Sequence, residues 1–111
     1  NFAISASSTI SCYKHIKFGR DIQFSWDCLV MDSDTHAILD EQGNRMNPDK
    51  DIVFGNNVWI GNGCLILKGS TVPDVCVIGA KSIVSGSNFV GHSIIVGSPA
   101  KSVKRIGDFK I

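Results

Sequence analysis

His36 is the side chain best placed to do acid–base chemistry in this sequence of 111 residues. A histidine can accept a proton near neutral pH and return it later in the same reaction. The other two histidines, His15 and His92, fall at corner-like positions of a regular pattern, and we interpret both as surface residues. His36 instead stands at the base of a polar segment, residues 32–51, that interrupts this pattern. A base mounted beside a rigid element is held more accurately than one at a loop tip.

The interrupted pattern is a six-residue repeat of apolar positions. Stepping by six from Phe54 meets only apolar residues, and the same phase continues backwards from Val30. The members of this column are Ala6, Cys12, Phe18, Phe24, Val30, Phe54, Ile60, Ile66, Val72, Ile78, Val84, Val90 and Val96. A second column lies two residues earlier and becomes small along the chain, from Ile52 and Val58 to Ser82 and Asn88. Alternate residues face opposite sides of a strand, so these pairs predict short strands with both columns inward.

Turn-forming residues separate the strands, as in Gly55-Asn56-Asn57 and Gly61-Asn62-Gly63. Glycine and asparagine tolerate the positive φ that tight corners need. Three sides would close a triangular coil of about 18 residues, and successive coils would stack about 4.8 Å apart. We therefore predict an all-β chain, a single parallel β-helix over residues 1–111, with a protruding loop at about 32–51 and a tail from about 98. A short C-terminal helix is expected at 100–106.

Several outward positions are also apolar, namely Val53, Trp59, Leu65, Leu67, Val77 and Ile83. Stacked coils would align several of these residues on one flat face, and an apolar face of this kind usually marks association. We expect a homo-oligomer, most simply a threefold ring of parallel prisms. The alternative is that they are the scattered apolar residues that protein surfaces commonly carry.

Composition argues against several other classes of protein. The 11 basic and 10 acidic residues nearly balance and form no basic stripe of the kind that nucleic-acid binders carry. No apolar run approaches the roughly 20 residues of a membrane helix, and no signal peptide is visible. Because the chain opens at Asn1 inside a patterned segment, we expect that an N-terminal part of the natural protein precedes it.

Neither the cysteines nor the histidines predict a metal site. The four cysteines, Cys12, Cys28, Cys64 and Cys76, form no CxxC pair and fall on the inward columns. We expect them to be small core residues rather than redox or metal groups. Free buried thiols also fit a reducing cytoplasm. The three histidines are so far apart that no two share a strand or a turn, whereas zinc sites usually draw ligands from short spacings.

An ordered set of motifs resembles the hexapeptide-repeat O-acetyltransferases. The motifs are Asp-Ser-Asp-Thr-His-Ala-Ile at 32–38, Gly-Asn-Arg at 43–45, Ile-Val-Phe-Gly-Asn-Asn-Val-Trp-Ile-Gly at 52–61, Ile-Gly-Ala-Lys-Ser-Ile-Val at 78–84 and Val-Gly-Ser-Pro-Ala-Lys at 96–101. The resemblance covers essentially the whole chain and is greatest within the galactoside, maltose and xenobiotic branch, to members that decorate surface polysaccharides. It implies a left-handed β-helix, a homotrimer with active sites between neighbouring subunits, and acetyl transfer from acetyl-coenzyme A.

The same resemblance implies roles for residues near the break in the repeat. His36 matches the general base, which would take the proton from an acceptor hydroxyl as that oxygen attacks the acetyl thioester. Direct transfer needs no nucleophilic residue, in agreement with the absence of a convincing Ser-His or Cys-His arrangement. Trp59 would pack beside the cofactor arm or the acceptor. An amide at Gly61 or Asn62 would contact the thioester oxygen.

The remaining positions that carry over from the family are binding residues. Candidate cofactor contacts are Gly79, Ala80, Ser85, Lys101 and Lys104. The first three would line the pantetheine arm, and the lysines would meet the phosphates of coenzyme A unless they belong to a solvated basic tail. Asp34 and Arg45 are candidate acceptor contacts. The galactoside branch has an acceptor-contacting asparagine in an early coil, where this chain has Ala3 or its neighbours, so the acceptor stays open.

Three functions follow as hypotheses. The first is an acetyl-coenzyme A-dependent O-acetyltransferase of capsule, O-antigen or a related saccharide, located in the cytoplasm. The second keeps the cofactor and changes the acceptor to an amino sugar, a small alcohol or an antibiotic. The third is a non-catalytic β-helix that only oligomerises. A purely structural prism has no use for the excursion that carries His36, which favours the first two.

Overall fold

The computed structural model describes residues 2–5 and 7–111, which form short strands wound into stacked coils. The strands are β1 Phe2–Ile4, β2 Thr9–Ser11, β3 Ile16–Lys17, β4 Ile22–Phe24, β5 Leu29–Met31, β6 Ile52–Phe54, β7 Val58–Ile60, β8 Leu65–Leu67, β9 Thr71–Val72, β10 Cys76–Ile78, β11 Ile83–Val84, β12 Ser93–Gly97 and β13 Ala100–Arg105. They are short because a corner follows every two to six residues of strand.

Each side of the coil contributes one sheet. The strand order is β1-β4-β7-β10-β12-β13 in the six-stranded sheet, β2-β5-β8-β11 in the four-stranded sheet and β3-β6-β9 in the three-stranded sheet. Neighbouring strands are parallel except for β12 and β13. Val58 pairs with Cys76 and Leu65 with Ile83, in each case the residue three hexads further along the chain. The parallel sheets and the hexad period predicted from the sequence are therefore confirmed.

The core fills the inside of the prism. Both inward columns are buried through the central coils, for example Ile22, Phe24, Cys28, Val30, Ile52, Phe54, Val58, Ile60, Cys64 and Ile66. The serines that replace apolar residues in the later coils are also buried. Ser70, Ser82 and Ser93 each donate their hydroxyl hydrogen to the carbonyl three residues earlier, at 2.6–2.7 Å. Each buried hydroxyl is thereby satisfied by the preceding corner.

The first coil is two residues longer than predicted. Ile10 pairs with Val30 rather than with Cys28, the residue three hexads on, whereas β3 pairs with β6 in the predicted phase. The additional residues lie in the corner at 12–15. Cys12 lies in this corner and is exposed, so its predicted place in the core is wrong. Ala6, also predicted to face inward, lies outside the described residues.

A buried carboxylate holds this longer corner in place. Asp32 is fully buried, its Oδ1 accepts the Tyr13 N–H at 2.8 Å, and its Oδ2 accepts those of Lys14 and His15 at 2.8 and 2.7 Å. Burial alone would raise the pKa of this carboxyl group, but the three N–H donors outweigh burial and hold the pKa of Asp32 below its ordinary value. Asp32 therefore fastens the first coil to the point where the long loop leaves the second.

The last coil is one residue shorter than the repeat predicts. Cys76 pairs with Ser93 rather than with Ile94, the residue three hexads on. As a result Ile95 is buried, whereas Val90 and Val96, predicted on the inward column, are exposed. The inward phase of the repeat thus ends before these two valines.

The predicted C-terminal helix is wrong, because Ala100–Arg105 forms strand β13. Gly97 has a φ of 120°, and the chain reverses at Ser98-Pro99 so that Gly97 pairs with Ala100. The returning strand satisfies the free edge of β12, which a helix could not do. Val103 is exposed and gives no apolar face to pack. Within 2–5 and 7–111 there is no helix, and hence none that could span a membrane.

The outward apolar residues lie on three faces rather than on one. Trp59 and Val77 pair on the six-stranded sheet, and Val53 lies on the three-stranded sheet. The four-stranded sheet carries the largest set, which is partly exposed and consists of Leu29, Met31, Leu65, Leu67 and Ile83. We call this set the apolar face.

Candidate functional site

His36 lies on the loop between β5 and β6, just beyond the C-terminal end of β5 in the four-stranded sheet. Its imidazole is exposed, and Nδ1 lies 3.0 Å from Thr35 Oγ1. The His36 backbone N–H donates to the Asp34 carbonyl at 2.8 Å, across Thr35, whose φ is 66°. A tight backbone turn therefore sets the direction of the imidazole. His15 and His92 are exposed, as predicted.

Asn47 closes the base of the loop around His36. Its Nδ2 donates to the His36 carbonyl at 2.9 Å and to Asp34 Oδ2 at 2.8 Å, while its Oδ1 accepts the Ile38 N–H at 2.6 Å. The side chain is 9% exposed, so these bonds are shielded from water. Asn47 could not be predicted from the sequence, because nothing in its spacing distinguishes it from the other polar residues of the loop.

Lys68 anchors the loop to the next coil. Its Nζ donates to Asp34 Oδ2 at 2.6 Å and to the Pro48 carbonyl at 3.1 Å. The Lys68 ammonium and the Asn47 amide hold the pKa of Asp34 below its usual range. The anchor is therefore present above the ordinary aspartate pKa of about 3.9 and is lost as the pH falls through the lowered value. These contacts give Asp34 a structural part in the loop, and its predicted contact with an acceptor stays a prediction.

Removing the Lys68 ammonium should loosen this loop. Lys68→Met keeps the apolar stem but deletes the bonds to Asp34 and Pro48. We expect trypsin to cleave after Arg45 about 2–5-fold faster, the modest change expected for a partly exposed ion pair. A time course followed by mass spectrometry measures the rate. Lys50→Met, which alters an exposed lysine of the same loop, should change it less than about two-fold; equal rates for Lys68→Met and wild type would contradict the anchor.

The outer part of the loop is a small hairpin. Leu39 and Arg45 form an antiparallel bridge. At the tip, Asp40 Oδ1 accepts two backbone N–H groups, each at 2.9 Å. The Arg45 guanidinium lies 3.3 Å from Asp49 Oδ1 and 3.4 Å from the Asn47 side chain. Arg45, predicted to contact an acceptor, thus lies on the same loop as His36 and contacts Asn47, the residue that binds the His36 carbonyl.

Trp59 faces outward from the six-stranded sheet and is partly exposed. Its Nε1 donates to Ser25 Oγ at 3.2 Å, and its ring packs against Phe109 with centroids 6.1 Å apart. The tail after β13 therefore returns along the outside of this sheet. Lys104 pairs with Ile94, on the column that leads through Val77 to Trp59.

One corner between the six- and four-stranded sheets carries four predicted cofactor residues, Gly61, Asn62, Gly79 and Ala80. The Gly61 N–H donates to the Ile78 carbonyl at 2.8 Å, and Asn62 Oδ1 accepts the Trp26 N–H at 3.2 Å. A Cβ on Gly61 would lie 2.9 Å from the Ala80 nitrogen, so the close approach of the two coils requires glycine here. The other predicted contacts, Ser85 and Lys101, line a common cleft with Asn88 at the end of the prism.

The buried cysteines give no sign of metal or redox chemistry. Cys28, Cys64 and Cys76 are free buried thiols, as predicted. Burial raises the pKa of Cys64 and Cys76, so both stay protonated. The thiols of Cys28 and Cys64 each donate to a corner carbonyl of the next coil at 3.1 Å, that of Gly61 or Gly79. In the part of the chain that the structure describes, no three His, Cys, Asp or Glu residues are grouped as metal ligands.

Comparison with curated proteins finds relatives that are named as acetyltransferases, although no family model matches the chain. The chain is 40% identical to a putative acetyltransferase of Staphylococcus aureus over an alignment of 112 positions including gaps, which covers 83% of the chain and 56% of the relative. It is 36% identical over 67 residues to a chloramphenicol acetyltransferase of Agrobacterium fabrum, spanning 60% and 32%. It is 37% identical over 62 residues to a polysialic acid O-acetyltransferase of Neisseria meningitidis, spanning 55% and 29%.

The fold has matching solved structures. That of NeuO, a polysialic acid-specific acetyltransferase, superposes with a TM-score of 0.70 at 28% identity, over 94% of the chain and 51% of NeuO. A maltose O-acetyltransferase from Clostridium difficile gives a TM-score of 0.73 at 21% identity, over 97% and 68%. By sequence the chain is similar to proteins named as acetyltransferases, and its fold matches that of solved acetyltransferases. It spans about a third to a half of the length of the curated relatives it matches.

The predicted site residues fall at opposite ends of the strands in the four-stranded sheet. His36 follows the C-terminal end of β5, and the corner with Gly61 and Asn62 precedes the N-terminal end of β8. A three-residue strand spans about 10 Å, and the apolar face lies between the two ends of these strands. Among the described residues no hydrogen bond joins the base to this corner within one chain.

Proposed function

We propose that this chain catalyses transfer of an acetyl group from acetyl-coenzyme A to a saccharide hydroxyl. The observation that carries the proposal is the exposed imidazole of His36 beside Thr35 Oγ1. Asn47 binds the His36 backbone carbonyl, and Lys68 anchors the loop to the rigid prism. His36 takes the hydroxyl proton as the acceptor oxygen attacks the thioester carbonyl. The carbon–sulfur bond then breaks, the acetyl ester forms, and the proton returns to the leaving thiolate.

The class of acceptor is supported by the relatives. Two of the matching proteins are named as acetyltransferases of polysialic acid, one found by sequence and one by solved structure. A saccharide of this kind is therefore the first acceptor to test. The chloramphenicol acetyltransferase relative supports an antibiotic hydroxyl as the second candidate. The predicted cytoplasmic location is part of the same proposal.

The active form in this proposal is a homotrimer of left-handed β-helices, with its active sites between subunits. Support comes from the apolar face and from the two groups of predicted site residues that it separates within one chain. Packing the apolar face against a neighbouring subunit would bring His36 of one subunit close to the corner that holds Gly61 and Asn62 of the next. Because the Gly61 N–H already donates to Ile78, the amide that meets the thioester oxygen would be that of Asn62. Lys101 and Lys104 would then meet the coenzyme A phosphates.

The test is thiol release from acetyl-coenzyme A with a panel of acceptors. The panel contains polysialic acid fragments, other capsule oligosaccharides, maltose and chloramphenicol. We expect release that depends on one of the saccharides. Absence of release with every acceptor, together with no binding of coenzyme A at millimolar concentration, would favour the non-catalytic hypothesis. Sedimentation velocity at micromolar concentration tests the trimer, and a monomer would remove the proposed site.

A further inference from the structure

Thr35 has a backbone conformation that a threonine rarely adopts. Its φ of 66° is in the left-handed region, where a β-branched residue is an outlier. The His36 N–H donates to the Asp34 carbonyl at 2.8 Å, which makes residues 34–36 a γ-turn of the positive-φ form. Conformations of this kind are strained and cluster at active sites and ligand clamps. The strain at Thr35 therefore points to a function of its side chain.

The Thr35 hydroxyl has one hydrogen and two neighbours. Its Oγ1 lies 2.6 Å from the Asp34 carbonyl oxygen, which can only accept, so the hydroxyl must donate there. The same Oγ1 lies 3.0 Å from His36 Nδ1. Since its hydrogen is already committed, Oγ1 can only accept from this nitrogen. A neutral imidazole that donates from Nδ1 carries its lone pair on Nε2.

From these contacts we propose that Thr35 is a positioning residue that holds His36 as the Nδ1–H tautomer. Nε2 is then the atom that receives the acceptor proton. The reaction rests on the proposed function, whereas the tautomer rests on the geometry alone. When Nε2 becomes protonated, the Nδ1–H bond to Oγ1 persists and needs no rearrangement. Across residues 2–5 and 7–111, Thr35 Oγ1 is the hydrogen-bond partner found for the ring.

Two substitutions separate the hydroxyl from the shape of Thr35. Thr35→Val keeps the β-branched shape but loses the acceptor oxygen, together with the hydroxyl that donates to the Asp34 carbonyl. Thr35→Ser keeps the oxygen and loses the methyl group. The ¹⁵N chemical shifts of the two ring nitrogens, measured with the imidazole neutral, identify the tautomer. Thermal unfolding of each variant establishes that it is folded.

We expect the Nδ1–H tautomer to dominate in wild type and in Thr35→Ser, and the Nε2–H form to rise in Thr35→Val. We also expect Thr35→Val to lower kcat by about 10–100-fold with little change in KM, the range expected when partners that orient a functional histidine are removed. Thr35→Ser should retain most of the wild-type kcat. This split between kcat and KM marks positioning of the base rather than loss of substrate binding.

Two results would overturn the inference. The first is an Nε2–H tautomer in wild type, and the second is a wild-type kcat in Thr35→Val although its tautomer has shifted. A different result separates the two proposals. If wild type shows the Nδ1–H tautomer, lost in Thr35→Val, but transfers no acetyl group, the proposed function fails and the tautomer assignment is supported.

Discussion

Replacing His36 with alanine should lower kcat for acetyl transfer by about 10²–10⁴-fold, the usual contribution of a general base. The stability of the fold should hardly change, because the imidazole is exposed and its hydrogen-bond partner is the neighbouring Thr35. The loss should therefore appear in the chemical step. Thiol release at saturating acetyl-coenzyme A and acceptor gives kcat, and thermal unfolding of the same preparation gives the stability.

The chain offers a matched control for this substitution. His15 lies in the first corner and is also exposed, and its Nδ1 lies 3.8 Å from Asp51 Oδ2. His15→Ala should leave kcat within about two-fold of wild type, as expected for a surface substitution. A wild-type kcat in His36→Ala would remove the assignment of the base. A comparable loss in His15→Ala would mean that the effect is not specific to His36.

Asp32→Asn should lower the free energy of unfolding by about 3 kcal/mol, the loss expected when buried hydrogen bonds to a charged group are broken. Oδ2 of Asp32 accepts two backbone N–H groups and Oδ1 accepts a third. An amide in the same place loses the charge and turns an NH₂ group towards backbone donors. The first corner should then detach from the loop base, where the Asp32 carbonyl also accepts the Lys50 N–H at 3.1 Å.

Urea unfolding at neutral pH measures this effect, and Asp51→Asn is the control. Asp51 is 49% exposed and lies 3.5 Å from the Lys14 ammonium, so its neutralisation should cost less than about 1 kcal/mol. Because the pKa of Asp32 is lowered on folding, its stabilisation is present above about pH 3.9 and is lost as the pH falls through the lowered value. Asp32→Asn should flatten this acid limb. Equal stability of Asp32→Asn and wild type at neutral pH would contradict the clamp.

The central coils could be predicted from sequence because side-chain alternation and the six-residue period agree there. From Ile22 to Val84 the inward columns are buried as expected. The ends deviate for a physical reason. Two extra residues in the first corner preserve the alternation of a strand, so the shift leaves the apolar pattern almost unchanged. In the last coil Ile95 and Val96 are both apolar, and the loss of one residue is invisible in the pattern.

The helix was mispredicted because three-residue spacing of apolar residues is weak evidence over a single turn. At 100–105 the free edge of β12 decides the structure instead, since its backbone groups need partners. An unpaired edge is a property of the folded prism. It cannot be read from the local spacing of Val103 and Ile106.

A candidate site residue could be proposed from the sequence where the argument depended on one residue and its place in the repeat. His36 met that condition because it follows the only long break in the rhythm. Asn47 and Lys68 did not, since their roles come from contacts that stacking creates between distant segments. Lys68 reaches Asp34 across 34 residues of sequence. The hydrogen bond of Thr35 with the imidazole likewise depends on a turn whose φ the sequence does not reveal.

Transfer of a labelled acetyl group tests the proposed function most directly. The protein is incubated with acetyl-coenzyme A carrying ¹³C in the acetyl group and with polysialic acid fragments or another saccharide of the panel, and the saccharide is analysed by mass spectrometry. We expect labelled acetyl esters that mild base removes, formed by wild type and His15→Ala but hardly by His36→Ala. Unlabelled saccharides throughout the panel, with the thioester intact, would contradict O-acetyl transfer to a sugar.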